Sequence, residues 1–504
     1  MGAAVRREKR RLHLRSTTAL AVAGALLIAV LGAPADAAVV SCANPDNLCH
    51  GNPCVTGPLE VASPCVVDFG DRALVIRGTL KVPNNGVLSL KAGSIDVRRA
   101  IVARHAKRVD ARGGAITLTA TRGITVRWRI DASGRTTPGK VQLVAGGNID
   151  LLAPVRAATN GPQPTAPGGL VTIDAGGRLT AVKRARIRAR GALTTPGGTV
   201  LLSGARGVQL QNRISADGSV GGSIAISSLD GDIIVGQRLD AGGIIGNGGN
   251  AQIVSVNGRV TLFNRIDAQG WKRGGAITVI GNEAITAFAT LRAGSAMRAA
   301  QGGSVSLFSH GDVTVGGVVN AEGLDGGFVR VNSMNGAARV IAPIVASGNH
   351  GTGGHIWLSG GSNAAIASSV DADGGAQGGA IDISGSDVVT LTAQASLFAR
   401  GDMGGTINLD GTMVTVPAGA KVLVDGQVPG GTITLAARDG DLILDGDFNA
   451  RGRTGGRIQG TASGDVIATG EFAARGNGCI SLAAGSRLDV SSGVFDVPVV
   501  DQCP

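Results

Sequence analysis

Along most of this chain the apolar residues fall at every second position, in short runs closed by Gly, Asp or Asn. "GGAITL" (113–118) sets Ile116 and Leu118 on one side and Ala115 and Thr117 on the other; after a turn, Ile124 and Val126 repeat the alternation. A period of two is that of a strand with one buried face, because successive side chains point to opposite faces. Similar pairs return as Val260/Leu262, Val313/Val315, Ile407/Leu409 and Leu442/Leu444. No stretch sustains the i, i+3, i+4 spacing of a helix, which sets leucine-rich and helical repeats aside.

Two signatures frame these strands. The first recurs as "GGLVTI" (168–173), "GGSIAI" (221–226), "GGHIWL" (353–358) and "GGTITL" (430–435); with degenerate forms it occurs fifteen times, about 26 residues apart. Three short strands fit that length and a helix does not. The expected fold is all-β: a right-handed parallel β-helix, a solenoid of about sixteen coils with three short strands per coil.

The second signature reads "KRVDARG" (107–113), "WRIDASG" (128–134), "QRLDAGG" (237–243) and "NRIDAQG" (264–270). Its apolar residue (Val109, Ile130, Ile187, Ile214, Leu239, Ile266) is expected to point inward. Two residues on, alanine fills fourteen of fifteen coils from Ala111 to Ala474, broken by Val424, and alternation places it inside too. The glycine two further, present in thirteen of fifteen, is expected to supply unusual corner dihedrals.

Coils of G-G-x-I-x-[LIV] and I-D-A-x-G resemble the β-helical shafts of filamentous-haemagglutinin-type secreted adhesins, over roughly residues 67–482. The resemblance is architectural. It implies a secreted shaft and carries over no functional residue.

Composition agrees with many turns around a lean aliphatic core: 82 glycines, 43% hydrophobic residues, 2% aromatics and no tyrosine. A core built on large rings is therefore not expected. Residues 1–37 read as a signal peptide, with a basic start, the apolar run "ALAVAGALLIAVLG" (19–32) and a small-x-small site "ADA" (35–37). The run is shorter than the ~20 residues of a membrane anchor, and no later stretch is long enough to span as a helix.

Six cysteines in an exported chain read as disulfides rather than as zinc ligands, since no C-x2-C pair or nearby histidine set completes a metal site. Cys479 and Cys503 form the natural C-terminal pair; Cys42, Cys49, Cys54 and Cys65 leave three connectivities open. The domain plan is a signal peptide (1–37), a cysteine-rich N-terminal cap (38–66), the β-helix (67–478) and a C-terminal disulfide cap (479–504).

Charge divides the chain. From Arg98 to Arg213 there are 20 Lys and Arg against 4 Asp, whereas residues 214–504 hold 17 against 25 acidic groups. The position before the inward aliphatic is Arg108, Arg129, Pro154, Arg186, Arg213, Arg238 and Arg265 in seven successive coils. In "VKRARIRARG" (182–191), Arg184, Arg186, Arg188 and Arg190 project from one face. With Asp110, Asp131, Asp240 and Asp267 on that face, the arginines could form a self-neutralising lattice of ion pairs. Alternatively they are a docking stripe for an acidic polymer such as surface polysaccharide. Opposite charge at the two ends also fits head-to-tail self-association.

Catalytic signals are sparse. Asp371 and Asp373, and Asp439, Asp441, Asp445 and Asp447, lie in turn-like contexts where aspartate is common. "NHGTGGH" (349–355) holds two histidines, and Trp357, between Ile356 and Leu358, should face outward. No motif calls for a cofactor or a metal. The expectation is an exported structural or adhesive element of the cell surface, envelope or periplasm. The alternative is a β-helix carbohydrate-active enzyme, a polysaccharide lyase or hydrolase.

Overall fold

A computed structural model describes residues 39–83, 85–103, 111–159, 161, 164–297, 300–500 and 502–503. The signal-peptide reading therefore lies outside the described residues, as do Arg108, Val109 and Asp110. The described chain is a parallel β-helix of about eighteen turns, some 25 residues each. Its strands stack into three ladders. The long ladder runs from Cys65–Asp68 through six-residue strands such as Ala115–Ala120 to Val499–Val500. The middle ladder runs from Cys54–Thr56 to Leu488–Asp489, and the short ladder from Val39–Val40 to Val494–Phe495.

Every strand pairs in parallel with its counterpart one coil away, in strict register: Ile116 faces Val141, Ile124 faces Ile149 and Ile130 faces Val155. Like residues therefore stack at one strand spacing, about 4.8 Å. Ile116, Leu118, Ile124, Val126 and Ile130 are all within 1% of complete burial, and coil after coil repeats the set. Each such side chain contributes about 1.5–3 kcal/mol on leaving water, so cohesion is spread evenly along the rod. The alanine column is buried throughout, from Ala111 to Ala474, and Val424 takes its place without exposure.

Three features depart from the sequence expectation. The rod has more turns than sixteen because both cysteine-bearing ends enter the ladders. Cys54 and Cys65 occupy inward positions of the first middle and long strands, and Cys479 begins a long strand. The bonds are Cys42–Cys65, Cys49–Cys54 and Cys479–Cys503, with Cα separations of 5.2, 5.3 and 5.7 Å. The N-terminal end lacks the glycine signature but keeps the alternation, and alternation is what builds the ladder.

Second, the corner glycines do not supply unusual dihedrals. In that column only Gly476 has a left-handed φ, 85°. They are needed for close approach: a Cβ on Gly218 would run into the Gly197 amide and the turn at Thr195–Pro196, and one on Gly243 into the Asn247 carbonyl. In several coils the second glycine of the pair closes the corner by donating its N–H to the preceding alanine carbonyl, as Gly198 does to Ala189 at 2.8 Å. Third, large rings do enter the core at one end. Phe448, Phe472 and Phe495 stack in the short ladder with centroids 4.8 and 4.9 Å apart.

Candidate functional site

The short ladder carries the arginine column. Its strands are only two or three residues long, so one aliphatic residue points inward and its neighbours on either side stand outward. Ile187 and Ile214 are fully buried, while Arg184, Arg186 and Arg190 are exposed and Arg188 is half-buried between them.

In the coils of Leu239 and Ile266, where aspartate follows the inward aliphatic, the arginines are answered. Arg213 reaches Asp240 at 2.8 Å; Arg238 reaches Asp240 at 2.9 Å and Asp267 at 3.0 Å; Arg265 reaches Asp267 at 3.4 Å. Each carboxylate thus sits between an arginine of its own coil and one of the preceding coil. Asp240 and Asp267 are about 95% buried, deeper than an outward strand position implies, because the arginine stems close over them. Arg190 pairs with Asp217 at 2.7 Å.

Two coils earlier the register brings arginine onto arginine: Arg156 faces Arg188. Arg186 and Arg188 make no ion pair with a described residue, nor does exposed Arg129, and Arg184 donates to the Leu152 carbonyl at 2.8 Å. The Arg156 Nε is buried without a hydrogen-bond partner. Burial, and then the charges of Arg156, Arg186, Arg190 and Arg213, hold Arg188 below the ordinary arginine value. The nine arginines of the sequence reading therefore separate. Arg190, Arg213, Arg238 and Arg265 are ion-paired, Arg184 is tied to backbone, Arg129, Arg186 and Arg188 remain, and Arg108 lies outside the described residues. Arg156 joins Arg129, Arg186 and Arg188, and only the coil register reveals it.

A second cluster lies on the long ladder. The outward positions Arg330, Trp357, Asp382 and Asn408 are consecutive in register, with Phe328 and His355 in the column beside them. The Arg330 guanidinium lies over the Trp357 ring, 4.0 Å from its centroid. His355 Nε2 is 2.6 Å from Asp382 Oδ2, and Asn408 donates to Asp382 Oδ1 at 2.6 Å. These residues, with Ser384 and Asp410, line an open cleft of about 560 Å³. A longer trough of about 1220 Å³ follows the paired glycines from Gly197 to Gly405 and meets the cleft at Phe328 and His355. Its floor is backbone, left bare by the missing Cβ atoms.

Of the acidic candidates, Asp371, Asp373, Asp441 and Asp445 serve turns and neighbouring coils. Asp371 accepts from the Ser347 hydroxyl at 2.7 Å, Asp373 binds Arg400 at 2.6 Å and Asp441 accepts from the Asp465 amide at 2.8 Å. Among the described residues, no group of three or more His, Cys, Asp or Glu could hold a metal ion, and no helix is long and apolar enough to cross a membrane.

No family model matches the chain, and no curated protein matches it. Among solved structures it is similar to the crystal structure of the HMW1 secretion domain from Haemophilus influenzae, with 16% identity and a TM-score of 0.32, over 78% of this chain and 99% of that one.

Proposed function

We propose that this protein is an exported structural and adhesive shaft of the cell surface or envelope, which holds an acidic polymer on the arginines of its N-terminal half. The observation that carries the reading is the Arg156–Arg186–Arg188 cluster. These cations stand together on one face without an ion pair to a described carboxylate, although the same ladder supplies Asp131 one coil before Arg156 and Asp240 two coils beyond Arg188. Unanswered like charges cost stability through repulsion, and an arriving polyanion relieves that cost. Arginine suits such a partner because its planar fork meets phosphate or carboxylate with two hydrogen bonds. The uniform coils and the disulfide-bonded ends support a load-bearing rod.

The test is binding of the full chain to acidic glycans, neutral glycans and DNA at two salt concentrations, beside an Arg156→Gln/Arg186→Gln/Arg188→Gln variant. Binding to the acidic polymers should weaken with salt, and in the variant the salt slope on DNA should fall by about one for each arginine removed. Equal binding by the two proteins sinks the proposal.

A further inference from the structure

We infer that the long-ladder cleft between Trp357 and Asp410 is a subsite for a neutral hexopyranose, separate from the arginine face. Trp357 stands outward between a long neighbour and a short one. On one side Arg330 covers the ring, stacked as a cation on the indole face with its Nε left without a hydrogen-bond partner. On the next coil the outward positions are Ala380, Asp382 and Ser384, all shorter than an indole. The height difference is the cleft, and it leaves a flat apolar wall above a polar floor.

The floor is already oriented. Asp382 is held by His355 and Asn408, both at 2.6 Å, and Asp410 by Arg438 at 3.0 Å. Phe328 braces His355 edge-on, with ring centroids 5.6 Å apart. Two carboxylates and an amide on adjacent coils suit neighbouring hydroxyls, which donate to the carboxylates while the apolar face of the ring packs on the indole. The same carboxylates disfavour an acidic sugar, since a uronate seated on the floor would face Asp382 and Asp410 while the Arg330 guanidinium is engaged on the indole face. The trough that opens beside Phe328 and His355 gives the rest of a chain room to continue along the rod.

The experiment is ligand-observed NMR of the full chain with cellotetraose, mannotetraose and tetragalacturonate. At least one neutral tetrasaccharide should bind with a Kd near or below about 1 mM, a modest affinity fitting a single open subsite. Trp357→Ala should weaken it at least about tenfold, and Asn408→Ala, a smaller surface change, about threefold. Circular dichroism and thermal midpoints check that both variants fold. Tetragalacturonate should bind this cleft at least about tenfold more weakly, and the Arg156→Gln/Arg186→Gln/Arg188→Gln variant should bind the neutral sugar as wild type does. Absence of binding by both neutral sugars at about 10 mM, unchanged binding in Trp357→Ala, or loss in the arginine variant would each overturn the assignment.

Discussion

Arg186 and Arg213 stand one coil apart in the same column, on strands of the same length and register, yet only Arg213 is neutralised. What differs is a single position per coil. After the inward aliphatic, Arg156 and Arg188 occupy the site that Asp240 and Asp267 occupy further on, with Ser215 between the two regimes. The backbone is indifferent to that choice, because the side chain points away from the core. In a solenoid, then, the frame is set by inward residues and corner glycines, while the charge of a face is chosen one residue per turn. The two can be perturbed independently.

The largest effect should come from the frame, and it should be the same in both regions. A Cβ on Gly191, beneath the arginine cluster, would meet the Pro196 carbonyl; one on Gly243, beneath the ion-pair lattice, would meet the Asn247 carbonyl. Neither can yield without moving a corner. Gly191→Val and Gly243→Val should each cost roughly 3–5 kcal/mol locally. Hydrogen exchange read coil by coil is the suitable measurement, since a stack of repeats need not unfold as one unit. Tolerance of both substitutions would show that the corners are looser than the close contacts imply.

A smaller effect should convert one region into the other. Asp240 is buried between Arg213 and Arg238, and Asp240→Asn keeps its shape while removing the charge both guanidinium groups face. Because those arginines remain partly in water, the local loss should be about 1–2 kcal/mol rather than the larger cost of a fully buried pair. Arg213 is released while Arg238 keeps Asp267, so polyanion binding should gain one arginine and its salt dependence should steepen by about one unit. Loss of stability without a gain in binding would mean that a free arginine on this face is not sufficient for capture.

These pairs show how much could be read from the linear chain. Ile116, Leu118, Ile187 and the alanine column declare the coil, because each coil restates its own alternation. Relations between coils are harder to read. Arg156 meets Arg188, and Arg330 meets Trp357, only through register, and register depends on turn lengths that vary from coil to coil. The cleft residues Trp357, Asp382 and Asn408 share no motif; each is an ordinary outward residue until its neighbours are stacked beside it. The glycine column was visible, but not its reason, since a tight approach and a left-handed dihedral call for the same residue. Likewise the spacing of Cys42, Cys49, Cys54 and Cys65 left the pairing open, and only their places on and between the first strands decide it.

The smallest effect tests the mirror image of the arginine cluster. Asp371 follows the inward Val370 in the column of Asp240 and Asp267, but two residues earlier its coil has Ser369 instead of arginine. It is a lattice carboxylate without its own-coil cation. Burial raises its pKa above the ordinary value, a shift only partly opposed by the Asp373 amide, the Ser347 hydroxyl and the Arg400 charge. A carboxyl whose folded pKa is raised favours the fold when protonated. That contribution is full below the unfolded pKa and is lost as pH rises through the raised value. Asp371→Asn should therefore match wild type in acid and be slightly more stable at neutral pH. Ser369→Arg should act in the same direction above the titration by supplying the missing cation. Thermal midpoints of the three proteins at acidic and neutral pH isolate the effect, because every other carboxylate is common to them. If the asparagine variant is the less stable one at neutral pH, the charged form of Asp371 is held well by its present partners, and the arginine two residues earlier is not what neutralises this column.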